Sequence, residues 1–113
     1  GDGGFWYHLT ELETAARYGI NTVTIVNNNH SLNQEKHGNE RYYDGADGNI
    51  EELWVFPDTD FAKIAQDMGC FGVRVDRPDQ IQGAITEAIA SGKPAVIDVV
   101  SDIESIAARA WTP

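Results

Sequence analysis

Cationic side chains are scarce in this sequence. Eight Lys and Arg stand against eighteen Asp and Glu, a formal net charge of −10 at pH 7. Nucleic acids and anionic membrane surfaces are held by clustered Lys and Arg, so neither is an expected partner, and the acidity reads as a solubility feature. A single cysteine, Cys70, excludes an internal disulfide framework and fits a reducing, cytoplasmic setting. It follows Gly69 with no His or basic residue adjacent, which is the environment of a buried small hydrophobe rather than a reactive thiol. No apolar run approaches the ~18 residues of a membrane span, and nothing resembles a signal peptide. Repeats and low-complexity tracts are absent. The three histidines, His8, His30 and His37, are too scattered for a zinc pattern. The Asp-Gly pairs at 44–48 do not match a calcium loop, because Ala46 and Gly48 fall where ligands are needed.

What remains is material for one domain. The chain has 113 residues, 42% of them hydrophobic, enough for a core. Thr10 to Tyr18 carries Leu12, Ala15 and Ala16 at helical spacing before Gly19. Val23 to Val26 is a β-branched run that ends in three asparagines, and "FGVRV" and "AVIDVV" are two further short strands. A helix after Asp58 or Thr59 would turn Phe61, Ile64, Ala65 and Met68 inward. A second would bury Ile81, Ala84, Ile85, Ala88 and Ile89. A short helical stretch is expected near Ile103 to Ala108.

Strands that alternate with helices predict an α/β fold with a parallel sheet in a three-layer α/β/α sandwich. The first helix lacks a strand to feed it, so the expectation is a partial domain over 1–113, truncated at its N-terminal end. Residues 31–57 show little periodicity, which predicts a long flexible loop anchored by Trp54 and Phe56, or a short helix near Ile50 to Trp54.

The chemistry lies at the start. "GDGG" is a glycine-rich turn that can bring backbone N–H groups to a phosphate. A dinucleotide turn needs Gly at the sixth position and an acidic residue ending the next strand. Here those places hold Trp6 and Asn27, Asn28 and Asn29. The alternative keeps Asp2 as a carboxylate beside the phosphates. Asp2 and Asn29, twenty-seven positions apart, would meet at the carboxyl edge of the sheet and could form an all-oxygen site for a hard cation such as Mg²⁺. Against this stands a plain structural role, with Asp2 capping a helix and the asparagines making a turn.

"GDGGF" followed at that distance by "NNN" resembles the thiamine diphosphate motif. The stretch from Gly1 to Gln34, the Glu11-Leu12 pair and "DFAKIAQDMG…GKPAVIDVV" are similar to the C-terminal cofactor-binding domain of the acetolactate synthase, pyruvate oxidase and benzoylformate decarboxylase superfamily. The resemblance implies thiamine diphosphate and Mg²⁺ as cofactors. Asp2 and Asn29 would be side-chain metal ligands, and Ser31 would supply a backbone carbonyl. Gly1, Gly3 and Gly4 would approach the diphosphate through their amides, with Leu32 and Asn33 in the loop over the phosphates. A second register stays open, with Asn28 as ligand and His30 giving the carbonyl.

The resemblance further implies a decarboxylase or carboligase acting on a small 2-oxo acid, with a flavin-dependent 2-oxo acid oxidase as the near alternative. A non-catalytic stand-alone binding module is the reading from another class. The site would be completed by a pyrimidine-binding domain of the same or another chain, in a homo-oligomer. The activating glutamate of that domain has no counterpart here, so this segment holds no catalytic residue of its own and should be inactive alone.

Overall fold

The computed structural model describes residues 1–105. Its sheet has three parallel strands, β1 (Val23–Asn28), β2 (Phe71–Val75) and β3 (Ala95–Val100), in the order β1-β3-β2. Val23 is paired with Ala95 and Asn28 with Val100; on the other side of β3, Phe71 is paired with Ala95. Five helices accompany it: α1 (Asp2–Trp6), α2 (Glu11–Tyr18), α3 (Lys36–Tyr43), α4 (Phe61–Asp67) and α5 (Ile81–Ala90). No helix among the described residues is long and apolar enough to cross a membrane.

Period-two alternation along β3 builds two cores, one on each face. Val96 joins Val26, Leu12, Phe61, Ala65 and Cys70 beneath α1, α2 and α4. Ala95 and Ile97 join Val75, Ala84 and Ala88 beneath α5. The three-layer α/β/α arrangement expected from the sequence is therefore present, with β3, apolar but for Asp98, at its centre. Cys70 is buried as expected, and burial pushes its thiol up from the ordinary value.

Several local expectations are corrected. The opening Gly-Asp-Gly is not an open turn: it is the first turn of α1, with Gly1 as its N-cap. Phe5 and Trp6 hold this glycine-rich helix in place, both edge-on to Phe61 with centroids 5.4 and 5.0 Å away. Packing thus overrides the poor helix propensity of glycine. The cap of α4 is Asp60, whose carboxylate accepts from the Lys63 amide at 2.8 Å, and neither Asp58 nor Thr59 fills that role. Ile89 is 67% exposed, because at the C-terminal end of α5 Ala88 takes the inward position. The alternative expectation of a short helix near Ile50 to Trp54 is met by a 3₁₀ turn, and residues 31–57 as a whole are more regular than a loop. They contain α3, 3₁₀ turns at Asn33–Glu35 and Ile50–Leu53, and a bridge from Ser31 to Val55. The helical stretch expected near Ile103 to Ala108 is a turn at 103–104, and its later residues lie outside the described ones.

Asp60→Ala should cost about 1 kcal/mol of stability, the usual worth of an N-cap. Chemical denaturation with an unchanged m-value would check it.

Candidate functional site

An open cleft of about 820 Å³ lies at the carboxyl end of β1. This is where ligands bind in parallel α/β sheets. The structure brings the candidate residues of the first register to its lining: Gly1, Asp2, Gly3 and Gly4 from one side, Asn29, Ser31, Leu32 and Asn33 from the other. Asn28 and His30 do not line it.

Asp2 anchors the arrangement. Its side chain is buried, and Oδ2 accepts a hydrogen bond from the Ser31 amide at 2.9 Å. Its second oxygen, Oδ1, is buried with no hydrogen-bond partner among the described residues. A buried carboxylate oxygen without a donor costs free energy that folding must supply from elsewhere. A cation would offset that cost. Asn29 lies half-buried, its Oδ1 accepting from Ser31 Oγ at 3.0 Å. Gly3 sits so close to the loop that an added Cβ would collide with the Leu32 side chain and stand 3.4 Å from the Ser31 carbonyl oxygen. The first amides of α1 precede its first intrahelical bond, from Phe5 N–H to the Gly1 carbonyl at 3.0 Å, and so are free to donate outward. Carboxylate, amide oxygen and carbonyl form a hard donor set suited to Mg²⁺. The residues therefore fit such an ion. No cluster of three His, Cys, Asp or Glu side chains suited to a metal occurs among the described residues.

The two metal registers separate on hydrogen bonding. Asn28 is fully buried, and its Nδ2 donates to Asp98 Oδ1 at 2.9 Å and to the Thr59 carbonyl at 3.0 Å. Its Oδ1 accepts from the His30 amide at 3.3 Å. His30 has φ of +57°, the left-handed conformation that non-glycine residues seldom adopt. Its carbonyl accepts from Phe56 N–H at 2.7 Å. Asn28 and His30 are thus committed to the interior and to Phe56, whereas Asn29 and Ser31 face the cleft.

Four carboxylates, of Asp2, Glu35, Asp102 and Glu104, line the cleft with one ammonium, that of Lys36. Glu104 holds Lys36 at 3.0 Å through both oxygens and raises its pKa, and the Lys36 ammonium lies 5.4 Å from the Trp54 ring centroid. Trp54 is a buried packing anchor, as its aromatic character suggested. Asn33 donates to the Ile103 carbonyl at 2.7 Å, tying the loop to the segment after β3. A diphosphate entering this cleft meets net negative charge, so a divalent cation is the natural bridge.

Behind the cleft lies a polar network that the sequence reading missed. Asp98, in the middle of β3, is fully buried. It accepts from Asn28 and, at 3.0 Å, from the Phe61 amide at the start of α4. Burial pushes its carboxyl up from the ordinary value, opposed by those two donors and by Arg74. Arg74 in turn donates to Asp58 at 2.6 Å, and its guanidinium holds that carboxyl below the usual range. The available signal was an acidic residue inside the otherwise apolar "AVIDVV".

Comparison with known proteins fits this geometry. Residues 1–99 match the family model described as thiamine pyrophosphate enzyme, C-terminal TPP binding domain. An acetolactate synthase large subunit of Haemophilus influenzae is 32% identical over 103 residues, covering 90% of this chain and 18% of that protein. A 2-hydroxyacyl-CoA lyase of Arabidopsis thaliana is 31% identical over 103 residues, with the same coverage. An acetolactate synthase of Bacillus subtilis is 32% identical over 102 residues, covering 90% of this chain and 17% of its own. The chain therefore spans less than a fifth of the length of these curated relatives.

Proposed function

Because this chain belongs to the family of C-terminal TPP-binding domains of thiamine pyrophosphate enzymes, we propose that its cleft anchors the diphosphate of thiamine diphosphate through a Mg²⁺ ion, within an acetolactate synthase-like 2-oxo acid decarboxylase or carboligase. The observation that carries the metal is Asp2 Oδ1, a buried carboxylate oxygen on the cleft with no partner among the described residues. In this reading Asp2 and Asn29 give side-chain oxygens to the ion and Ser31 its backbone carbonyl. The amides of Gly3 and Gly4 meet phosphate oxygens. Leu32 closes against Gly3 and excludes water from that side. Bound there, the cofactor supplies the electron sink for making and breaking a carbon–carbon bond next to a carbonyl. The residues of this chain bind and orient it, and they move no proton.

The other end of the cofactor would be met by a pyrimidine-binding domain of the same or another chain, in a homo-oligomer. The segment alone is then inactive. The equal likeness to a 2-hydroxyacyl-CoA lyase supports a second reading, cleavage of a 2-hydroxyacyl thioester with the same anchoring. Substrate choice would rest on residues beyond this cleft.

Calorimetry of thiamine diphosphate binding to the intact protein, with and without Mg²⁺, tests the anchoring. Binding should strengthen at least ~100-fold with Mg²⁺, since the cleft repels the bare diphosphate. Equal binding in the presence of a chelator would overturn it.

A further inference from the structure

We propose that Asp98 is a positioning residue for the metal site, acting through Asn28 on the turn that presents Asn29 and Ser31. The inference rests on the anchoring role above and extends it to a residue some seventy positions further along the chain.

The chain of contacts is continuous. Asp98 is fully buried in the central strand, and its carboxylate has two good donors, Asn28 Nδ2 at 2.9 Å and Phe61 N–H at 3.0 Å. Arg74 Nη1 stands 3.9 Å away. With its Nδ2 so engaged, the Asn28 carboxamide can present only its oxygen to the following turn. That oxygen accepts from the His30 amide at 3.3 Å. The bond is made where the backbone enters the left-handed region, at φ of +57°. Only a few per cent of non-glycine residues adopt that conformation, histidine more readily than most, and it persists where its surroundings hold it. Here they do so from two sides, Asn28 on the amide and Phe56 N–H on the carbonyl at 2.7 Å. The reversal places Ser31 N–H on Asp2 Oδ2 and leaves Asn29 facing the cleft.

A carboxylate suits position 98 for a specific reason. Its oxygens only accept, and the two groups that face them, the Asn28 NH₂ and the Phe61 N–H, only donate. Asparagine there would turn an NH₂ group toward one of them, so either Asn28 flips or the start of α4 loses its acceptor. A flipped Asn28 would aim NH₂ at the His30 N–H and release the turn.

The test compares three variants of the intact protein at a temperature where circular dichroism shows each to be folded. With thiamine diphosphate saturating, Asp98→Asn should raise the half-saturating Mg²⁺ concentration ~10–100-fold, the usual cost of losing a residue that orients a ligand. In the metal-free protein the His30 amide should exchange faster with solvent. Ala88→Gly, a destabilising change beneath the opposite face of the sheet, should leave Mg²⁺ half-saturation unmoved. Asn28→Ala removes the link between Asp98 and the turn while leaving the Asp98 carboxylate in place. It should raise the half-saturating Mg²⁺ concentration at least as much as Asp98→Asn, and it carries the test if Asp98→Asn does not fold.

A folded Asn28→Ala variant with parental Mg²⁺ half-saturation, or an equal shift in Ala88→Gly, would overturn the inference. So would an Asp98→Asn variant that binds Mg²⁺ like the parent. If the parent itself binds thiamine diphosphate without regard to Mg²⁺, the anchoring reading fails first, and this inference with it.

Discussion

Asp2→Asn should abolish Mg²⁺-dependent cofactor binding while leaving the metal-free fold intact. The two oxygens of Asp2 have different work. Oδ2 accepts from the buried Ser31 amide at 2.9 Å, and Oδ1 has no partner among the described residues. An asparagine oxygen can serve Ser31, but its NH₂ group would then stand where the cation needs an anion. Outer-shell partners of metal ligands are worth 10–100-fold in affinity, so loss of the charged ligand should cost at least ~100-fold. Asp2→Ala differs in kind, because it also strands the Ser31 N–H. That variant should lose about 1–3 kcal/mol of metal-free stability, the cost of an unsatisfied buried donor. Thermal melts without Mg²⁺ separate the two: near-parental stability for Asn, a clear loss for Ala. If both variants were equally destabilised and both still bound Mg²⁺, Asp2 would be a helix anchor alone.

The largest effect on stability is expected at Gly72. A Cβ added there would run into the carbonyl of Ala62 in α4, with the carbonyl carbon at 2.8 Å and the Cα at 3.1 Å. These are backbone atoms of a packed helix, and no rotamer change relieves them. Gln66 Nε2, bonded to the Gly72 carbonyl at 2.8 Å, pins the helix at the same point. For Gly72→Ala, α4 must lift off β2. Overpacking of this kind costs about 3 kcal/mol or more when the backbone has to yield. Lifting α4 would also draw the Phe61 amide away from Asp98, so the damage should reach the cleft. Urea unfolding should show the loss, and a variant within about 0.5 kcal/mol of the parent would mean that α4 is loosely docked.

The regular core was legible because its patterns are local. Three β-branched runs and the stops at Gly19 and Gly69 suffice to place the strands and the helices α2 and α4, and the spacing of Asp2 and Asn29 points to one site. Other features depend on contacts between distant residues. In α1, two glycines follow Asp2, and the helix exists through Phe5 and Trp6 against Phe61. The segment "KHGNERYY" forms α3 with none of its described side chains in the core, so no apolar stripe announces it. "DTD" offers three possible caps, and only the extended backbone of Asp60 decides among them. The triple asparagine left two metal registers open. What separates them is Asp98, whose partner Asn28 lies seventy positions away.

The central claim is that Asp2, Asn29 and Ser31 together hold one hard divalent cation. Mn²⁺ accepts the same oxygen ligands as Mg²⁺, and its free form can be counted by electron paramagnetic resonance. Titrating Mn²⁺ into the intact protein with saturating thiamine diphosphate should show one bound ion per chain in the parent and none in Asp2→Asn at the same concentrations. Equal Mn²⁺ uptake by both proteins would place the cation elsewhere and contradict the account.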